Sequence, residues 1–228
     1  MKVIISAAGT GGHINPALAI ANKIKEKDKN SEIVFIGTTR GLENDLVPKA
    51  GYKLKTIEAY GLSKDLKKLY KTFIGIGQAK KIIQEFKPDI VIGTGGYICG
   101  PTVIAAKRCK IPVLLHESNA FPGKAVQMLA KRTNTICVSF EEAKNRIKDT
   151  HKVVVTGTPV KIKKKEYTDV QKAEILKKYG ITTKSLPIVL IFGGSQGARR
   201  INETIIEIIN KKMNKNYQII WATRSKTI

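Results

Sequence analysis

Lys2-Val3-Ile4-Ile5-Ser6-Ala7-Ala8-Gly9-Thr10-Gly11-Gly12-His13-Ile14-Asn15-Pro16 is the stretch on which the fold turns. A short β-branched run reads as a strand, small residues and glycines read as a turn, and Pro16 suits the first turn of a helix running to Lys27. Strand, glycine turn and helix together open a βα unit. Small residues let the backbone turn tightly and approach a ligand, while amides at a helix N-terminus point at negative charge. The plain alternative is a tight βα turn that binds nothing. This is not the dinucleotide fingerprint, because Ile14 stands where a third glycine is needed. The second strand ends in Ile36-Gly37-Thr38-Thr39, with no acid placed to hold a ribose. Hydride transfer is therefore disfavoured.

The same alternation continues outward from that stretch. Strands are expected at Lys2–Ser6, Glu32–Ile36, Lys53–Glu58, Ile90–Ile92, Val113–Leu115, Thr135–Val138 and Lys152–Val155. Helical patterns fill Pro16–Lys27, Leu42–Ala50, Leu66–Phe86, Pro101–Lys107, Lys124–Ala130 and Glu141–Arg146. Alternating elements of this kind build a parallel sheet with helices on both faces. The fold class is thus α/β, with residues 1–160 as a Rossmann-like domain. A basic linker, Val160–Tyr167, leads into residues 161–228, which begin a second doubly wound domain. There a helix (Gln171–Tyr179), a strand (Pro187–Phe192), a glycine turn (Gly193–Gly197), a helix (Ala198–Lys212) and a strand (Tyr217–Ala222) follow in turn. One βαβ unit cannot bury both faces of its sheet, so this second domain is expected to be incomplete and the chain truncated within it.

Three further loops carry chemistry-bearing residues at strand ends, where α/β folds hold their ligands. Gly93-Thr94-Gly95-Gly96-Tyr97-Ile98-Cys99-Gly100-Pro101 puts four glycines in eight residues beside Tyr97, which either projects into a cleft or packs as an ordinary aromatic. His116-Glu117-Ser118-Asn119 gathers imidazole, carboxylate and amide after a strand, a usual place for acid–base groups. Gly193-Gly194-Ser195-Gln196-Gly197-Ala198 repeats the phosphate-cradling turn before a helix and adds a hydroxyl.

Composition narrows the classes. The 228 residues carry 41 Lys and Arg against 18 Asp and Glu, a formal charge of +23, which attracts polyanions such as nucleic acid, anionic lipid or phosphorylated small molecules. No helix-turn-helix, zinc pattern or aromatic–basic interleaving supports a nucleic-acid partner. Cys99, Cys109 and Cys137 lack both disulfide and zinc spacing, so reduced thiols are expected. Val3-Ile4-Ile5 is too short an apolar stretch for a secretory signal, so a cytoplasmic setting is expected. No apolar run is long enough to cross a bilayer.

Gly-Thr-Gly-Gly-His at 9–13, Gly-Gly-Tyr at 95–97 with Gly-Pro at 100–101, His-Glu-x-Asn at 116–119 and Gly-Gly-Ser-Gln-Gly-Ala at 193–198 stand in one order. In that order they resemble the MurG family of two-domain GT-B glycosyltransferases. The resemblance implies inverting transfer of N-acetylglucosamine from UDP-N-acetylglucosamine to undecaprenyl-pyrophosphoryl-muramyl-pentapeptide (lipid I), giving lipid II, with no metal or other cofactor. It implies an acceptor-binding first domain and a nucleotide-binding second one. Thr10, Gly11, Gly12 and Asn119 would line the donor sugar and acceptor, and Tyr97 would shape the acceptor pocket. Ser195 would contact the nucleotide diphosphate, with Gln196 beside it in the binding set. His13 and Glu117 are both candidates for activating the acceptor hydroxyl. Three departures stand out. Ala8 replaces a usual glycine. Gly157-Thr158-Pro159-Val160-Lys161 replaces the usual Asn-Pro-Val-Arg, so Lys161 keeps the charge without the bidentate fork. After Trp221-Ala222-Thr223 the chain leaves the family pattern.

Residues 62–84 set Lys64, Lys67, Lys68, Lys71, Lys80 and Lys81 around Leu69, Phe73, Ile74 and Ile76. Such a segment either lies on an anionic leaflet or packs inward behind a solvated lysine face. A lipid-linked acceptor favours the first, placing the protein peripherally on the cytoplasmic face of the cell membrane. Two other outcomes stay open: a non-catalytic acceptor- or membrane-binding module, and a GT-B transferase for another sugar.

Overall fold

A computed structural model describes residues 1–61, 65–148, 152–161, 165–181, 186–194 and 198–223. They form two compact units, Met1–Ile162 and Lys163–Ile228.

In the first unit, β1 (Lys2–Ser6), β2 (Glu32–Gly37), β3 (Lys53–Thr56), β4 (Ile90–Gly93), β5 (Val113–Glu117), β6 (Thr135–Val138) and β7 (Val153–Val155) make one seven-stranded sheet. Its order is β3-β2-β1-β4-β5-β6-β7 and all its pairings are parallel. The helices are α1 (Gly11–Lys27), α2 (Glu43–Lys49), α3 (Leu66–Phe86), α4 (Cys99–Arg108), α5 (Lys124–Leu129) and α6 (Glu141–Lys144). Side chains alternate across a strand, so β1 feeds two cores. Val3, Ile5 and Ala7 pack with Ile14, Leu18 and Ala21 of α1, Val47 of α2 and Phe35 of β2. Ile4 and Ala8 point the other way, toward Ile76 and Ile83 of α3 and Val103 of α4. Fully burying each such side chain is worth about 1.5–3 kcal/mol, which explains why the strands are nearly continuous apolar runs.

The element ends differ from expectation where local chemistry overrides pattern. The first helix starts at Gly11 rather than Pro16. His13 and Ile14 N–H groups already bond the Thr10 carbonyl, so a full turn forms ahead of the proline. Pro16 therefore falls inside the helix, where its missing N–H leaves the Gly12 carbonyl without an i→i−4 donor. β3 stops at Thr56, although Ile57 N–H still bonds the Gly37 carbonyl at 2.9 Å. α3 keeps its expected bounds: Asp65 caps it by accepting from Lys67 and Lys68 N–H, and Lys87 closes it in the left-handed region at φ 52°.

In the second unit, α7 (Asp169–Lys178) begins with a capping box between Thr168 and Gln171. β8 (Ile188–Phe192) and β9 (Gln218–Ala222) pair in parallel through the crossover helix α8 (Arg199–Asn210). Asn202 of α8 donates to Thr223 Oγ at 3.1 Å and accepts from Trp221 Nε1 at 3.3 Å, tying the helix to its strand.

Candidate active site at the switch point of the sheet

Strand order reverses direction between β1 and β4, and in open α/β sheets ligands bind at such a point, beyond the carboxyl ends of the strands. The loops there are the first two glycine motifs, residues 7–13 and 94–98. Their meeting is specific. A Cβ placed on Gly95 would lie 2.8 Å from His13 Cδ2, and one on Gly96 would lie 3.3 Å from His13 Nδ1. Both glycines have positive φ, 96° and 78°. The imidazole therefore rests on a bare peptide that only a Gly-Gly pair supplies. Thr94, fully buried, fastens the contact by donating its hydroxyl to the His13 carbonyl at 2.8 Å. On the far side the buried Cys99 thiol donates to the Gly95 carbonyl at 3.1 Å. Burial pushes that thiol's pKa up to about 11, so it stays protonated and acts as a donor.

His13 sits in the first turn of α1 and is partly exposed. The Thr10 side chain does not cap this helix, so it satisfies none of the first-turn N–H groups; Thr10 and Gly12 are exposed and Gly11 is buried. Tyr97 is half-buried and packs against the core cluster of α3 and α4.

The third motif is built differently. Glu117 ends β5 almost wholly buried, and its carboxylate is occupied: Oε1 accepts from the Asn119 N–H at 2.9 Å and its Nδ2 at 2.8 Å, and Oε2 from the Gly123 N–H at 2.7 Å. It pins the turn 117–123, and Asn119, itself exposed, spends its amide on that turn. His116 is buried, with Nε2 3.3 Å from the Gly157 carbonyl and Nδ1 3.4 Å from Ser118 Oγ. Burial lowers its pKa, opposed by the Gly157 carbonyl and the Glu117 charge. The network fits a neutral ring donating from Nε2.

Lys161 is exposed at the end of the first unit. Ser195 and Gln196 lie outside the described residues, as does Lys64 of the basic segment. Along α3 the two sequence readings divide the helix between them: Leu66, Leu69, Tyr70, Phe73 and Ile74 are exposed, whereas Ile76, Ala79 and Ile83 face the core. Among the described residues no helix is long and apolar enough to cross a membrane.

One participant escaped the sequence reading. Glu43 is fully buried at the start of α2, and its carboxylate accepts from the Gly9 N–H of the first glycine turn. Its signal was an acid four residues before the buried Val47, on the helix's inward stripe.

The glycosyltransferase family 28 N-terminal domain matches residues 3–138, and the C-terminal domain of the same family matches residues 188–227. A UDP-N-acetylglucosamine–N-acetylmuramyl-(pentapeptide) pyrophosphoryl-undecaprenol N-acetylglucosamine transferase of Acetivibrio thermocellus is 47% identical over 98% of the chain and 61% of its own length. A protein of the same name from Thermoanaerobacter sp. is 45% identical over 98% of the chain and 61% of its own length. The chain thus spans about three-fifths of the length of these relatives. Among solved structures, Acinetobacter baumannii MurG superposes with a TM-score of 0.74 at 26% identity, covering 100% of this chain and 62% of that one. A UDP-GlcNAc 2-epimerase from Neisseria meningitidis, at TM-score 0.63 and 19% identity over 99% of this chain and 66% of that one, shares the fold. With both domain matches in order along one chain, the protein belongs to glycosyltransferase family 28.

Proposed function

We propose that this chain serves the transfer of N-acetylglucosamine from UDP-N-acetylglucosamine to the lipid-linked muramyl-pentapeptide, converting lipid I to lipid II in peptidoglycan synthesis. The observation that carries this reading is the His13 imidazole seated on Gly95–Gly96 at the switch point, in a chain 47% identical to a transferase of that name. The acceptor hydroxyl attacks the anomeric carbon as the bond to UDP breaks, and its proton must leave at the same time. His13 is the group suited to take it, because it is partly exposed on a fixed seat. Glu117 has both oxygens committed to donors, so in this reading it shapes the loop and does not collect the proton. The N–H groups of Gly11 and Gly12, left uncapped by the Thr10 side chain, would hold a phosphate or sugar oxygen, and Thr10, Asn119 and Tyr97 would border the acceptor. Lys161, Ser195 and Gln196 belong to the nucleotide side of the same reading. In it the first unit receives the acceptor and the second the nucleotide.

The membrane part of the proposal rests on the exposed half of α3, where Leu66, Leu69, Tyr70, Phe73 and Ile74 stand among Lys67, Lys68 and Lys71. That mixture suits peripheral attachment to an anionic leaflet on the cytoplasmic face, each lysine near the surface adding about 1 kcal/mol.

The test is incubation of the chain with labelled UDP-N-acetylglucosamine and a short-chain lipid I analogue, beside His13→Ala. Binding of the analogue by both proteins is expected, with any transfer falling about 10²–10⁴-fold in the variant. Failure of the wild-type chain to bind either substrate would overturn the reading. Transfer surviving His13→Ala at the full rate would overturn His13 as the base.

A further inference from the structure

The first glycine turn is not held by its own sequence. Glu43, completely buried, has no ion-pair partner among the described residues, yet each carboxylate oxygen is used. Oε2 accepts from the Gly9 N–H at 2.9 Å, while Oε1 accepts from the Thr38 N–H at 3.0 Å and the Thr38 hydroxyl at 2.8 Å. Leu42 N–H returns a bond to the Gly9 carbonyl at 3.4 Å, so the residue is gripped on both sides. Gly9 itself stands at φ 95°, a conformation that leaves the turn free to relax unless something outside it decides. The seat is shaped to the carboxylate. A Cβ on Gly41 would overlap Glu43 Oε2, and one on Gly37 would stand 2.7 Å from Glu43 Cγ.

A charge is costly to bury, and apolar residues of similar volume would serve packing alone as well or better. What a carboxylate adds is two acceptors set at a fixed separation, one for each of two neighbouring loops. It joins the loop after β2 to the loop after β1, and Gly9 lies four residues ahead of His13. We infer that Glu43 is the positioning residue of this site: it sets Gly9 so that α1 begins where His13 lands on Gly95–Gly96 and the Gly11 and Gly12 N–H groups face the ligand. The ligand half of this inference rests on the transferase reading above, whereas the positional half does not.

The experiment compares the whole chain with Glu43→Gln, which keeps length and loses an acceptor, and with Gly41→Ala, which leaves Glu43 in place but displaces its carboxylate. Amide spectra and the His13 ring carbon–proton signal are recorded for each, together with thermal melting. Both variants are expected to shift the Gly9 amide proton upfield, as a charge-assisted bond is lost, and to move the His13 ring signal while β5 and β6 resonances stay put. Affinity for a short-chain lipid I analogue is expected to weaken about tenfold, the size of one such bond. Melting that falls while the Gly9 and His13 signals hold still would overturn the inference and leave Glu43 a stabiliser. Shifted signals with unchanged affinity would overturn its ligand half. A wild-type chain that ignores the analogue would count against the transferase reading alone, because the spectra still decide the positional half. Should Glu43→Gln not fold, Gly41→Ala carries the same test.

Discussion

β5 and β8 are made of the same kind of residue and end up in opposite surroundings. Val113-Leu114-Leu115-His116-Glu117 is buried or nearly so throughout, even at its imidazole and carboxylate. Ile188-Val189-Leu190-Ile191-Phe192 is more apolar, yet all but Ile191 are exposed. In the second unit only Asn202 and Ile205 are buried among the described residues. The difference lies in what surrounds each strand: β5 has a strand on either side and helices of α4 and α5 over it, whereas β8 has one neighbour and one crossover helix. Burial is therefore a property of layers, and hydrophobic sequence only makes a strand eligible for it.

Shortening one leucine in each strand tests the two surroundings directly. Leu115→Ala, at a fully buried site, is expected to cost about 2–5 kcal/mol, read as a lower urea midpoint. Leu190→Ala, at a position 59% exposed, is expected to stay within about 0.5 kcal/mol. Equal losses would show that β8 is as well covered as β5. A smaller effect isolates the second unit: Thr168→Ala removes the capping box of α7 and is expected to cost that helix about 1 kcal/mol, seen as faster amide exchange in α7 and nowhere in the first unit. The smallest signal is a slope. It belongs to His116 of the first unit. Burial lowers the His116 pKa, so the unfolded state binds the proton more readily. Stability should be full above about pH 6.5, fall as pH drops through that value, and level off below the folded pKa. His116→Gln should flatten this part of the curve.

Much of this was readable beforehand, and the exceptions have physical reasons. β1, α3 and β6 match their expected bounds, since each combines an unbroken pattern with clear stop signals. The start of α1 was displaced by Pro16, because a proline is expected in the first turn and here it falls inside the helix. In the site, the glycine turns and His13 stood out by residue type. That Gly95–Gly96 forms the seat of His13 did not, because the contact joins segments far apart in the chain. Glu43 was passed over for a related reason: an acid looks solvated until a helix face turns it inward. Glu117 was legible as a candidate but not as an occupied one, since its three donors come from the fold of its own loop.

The strand order bears on how the chain is made. β1 leaves the ribosome before the other strands of its sheet yet lies inside it, so one edge is satisfied early by β2 while the other waits for β4. At roughly 5–20 residues per second, Val3 waits several seconds before Ile90 emerges to pair with it. Throughout that interval the nascent chain displays an unpaired apolar edge, and translation speed between β2 and β4 sets how long a chaperone has to shield it.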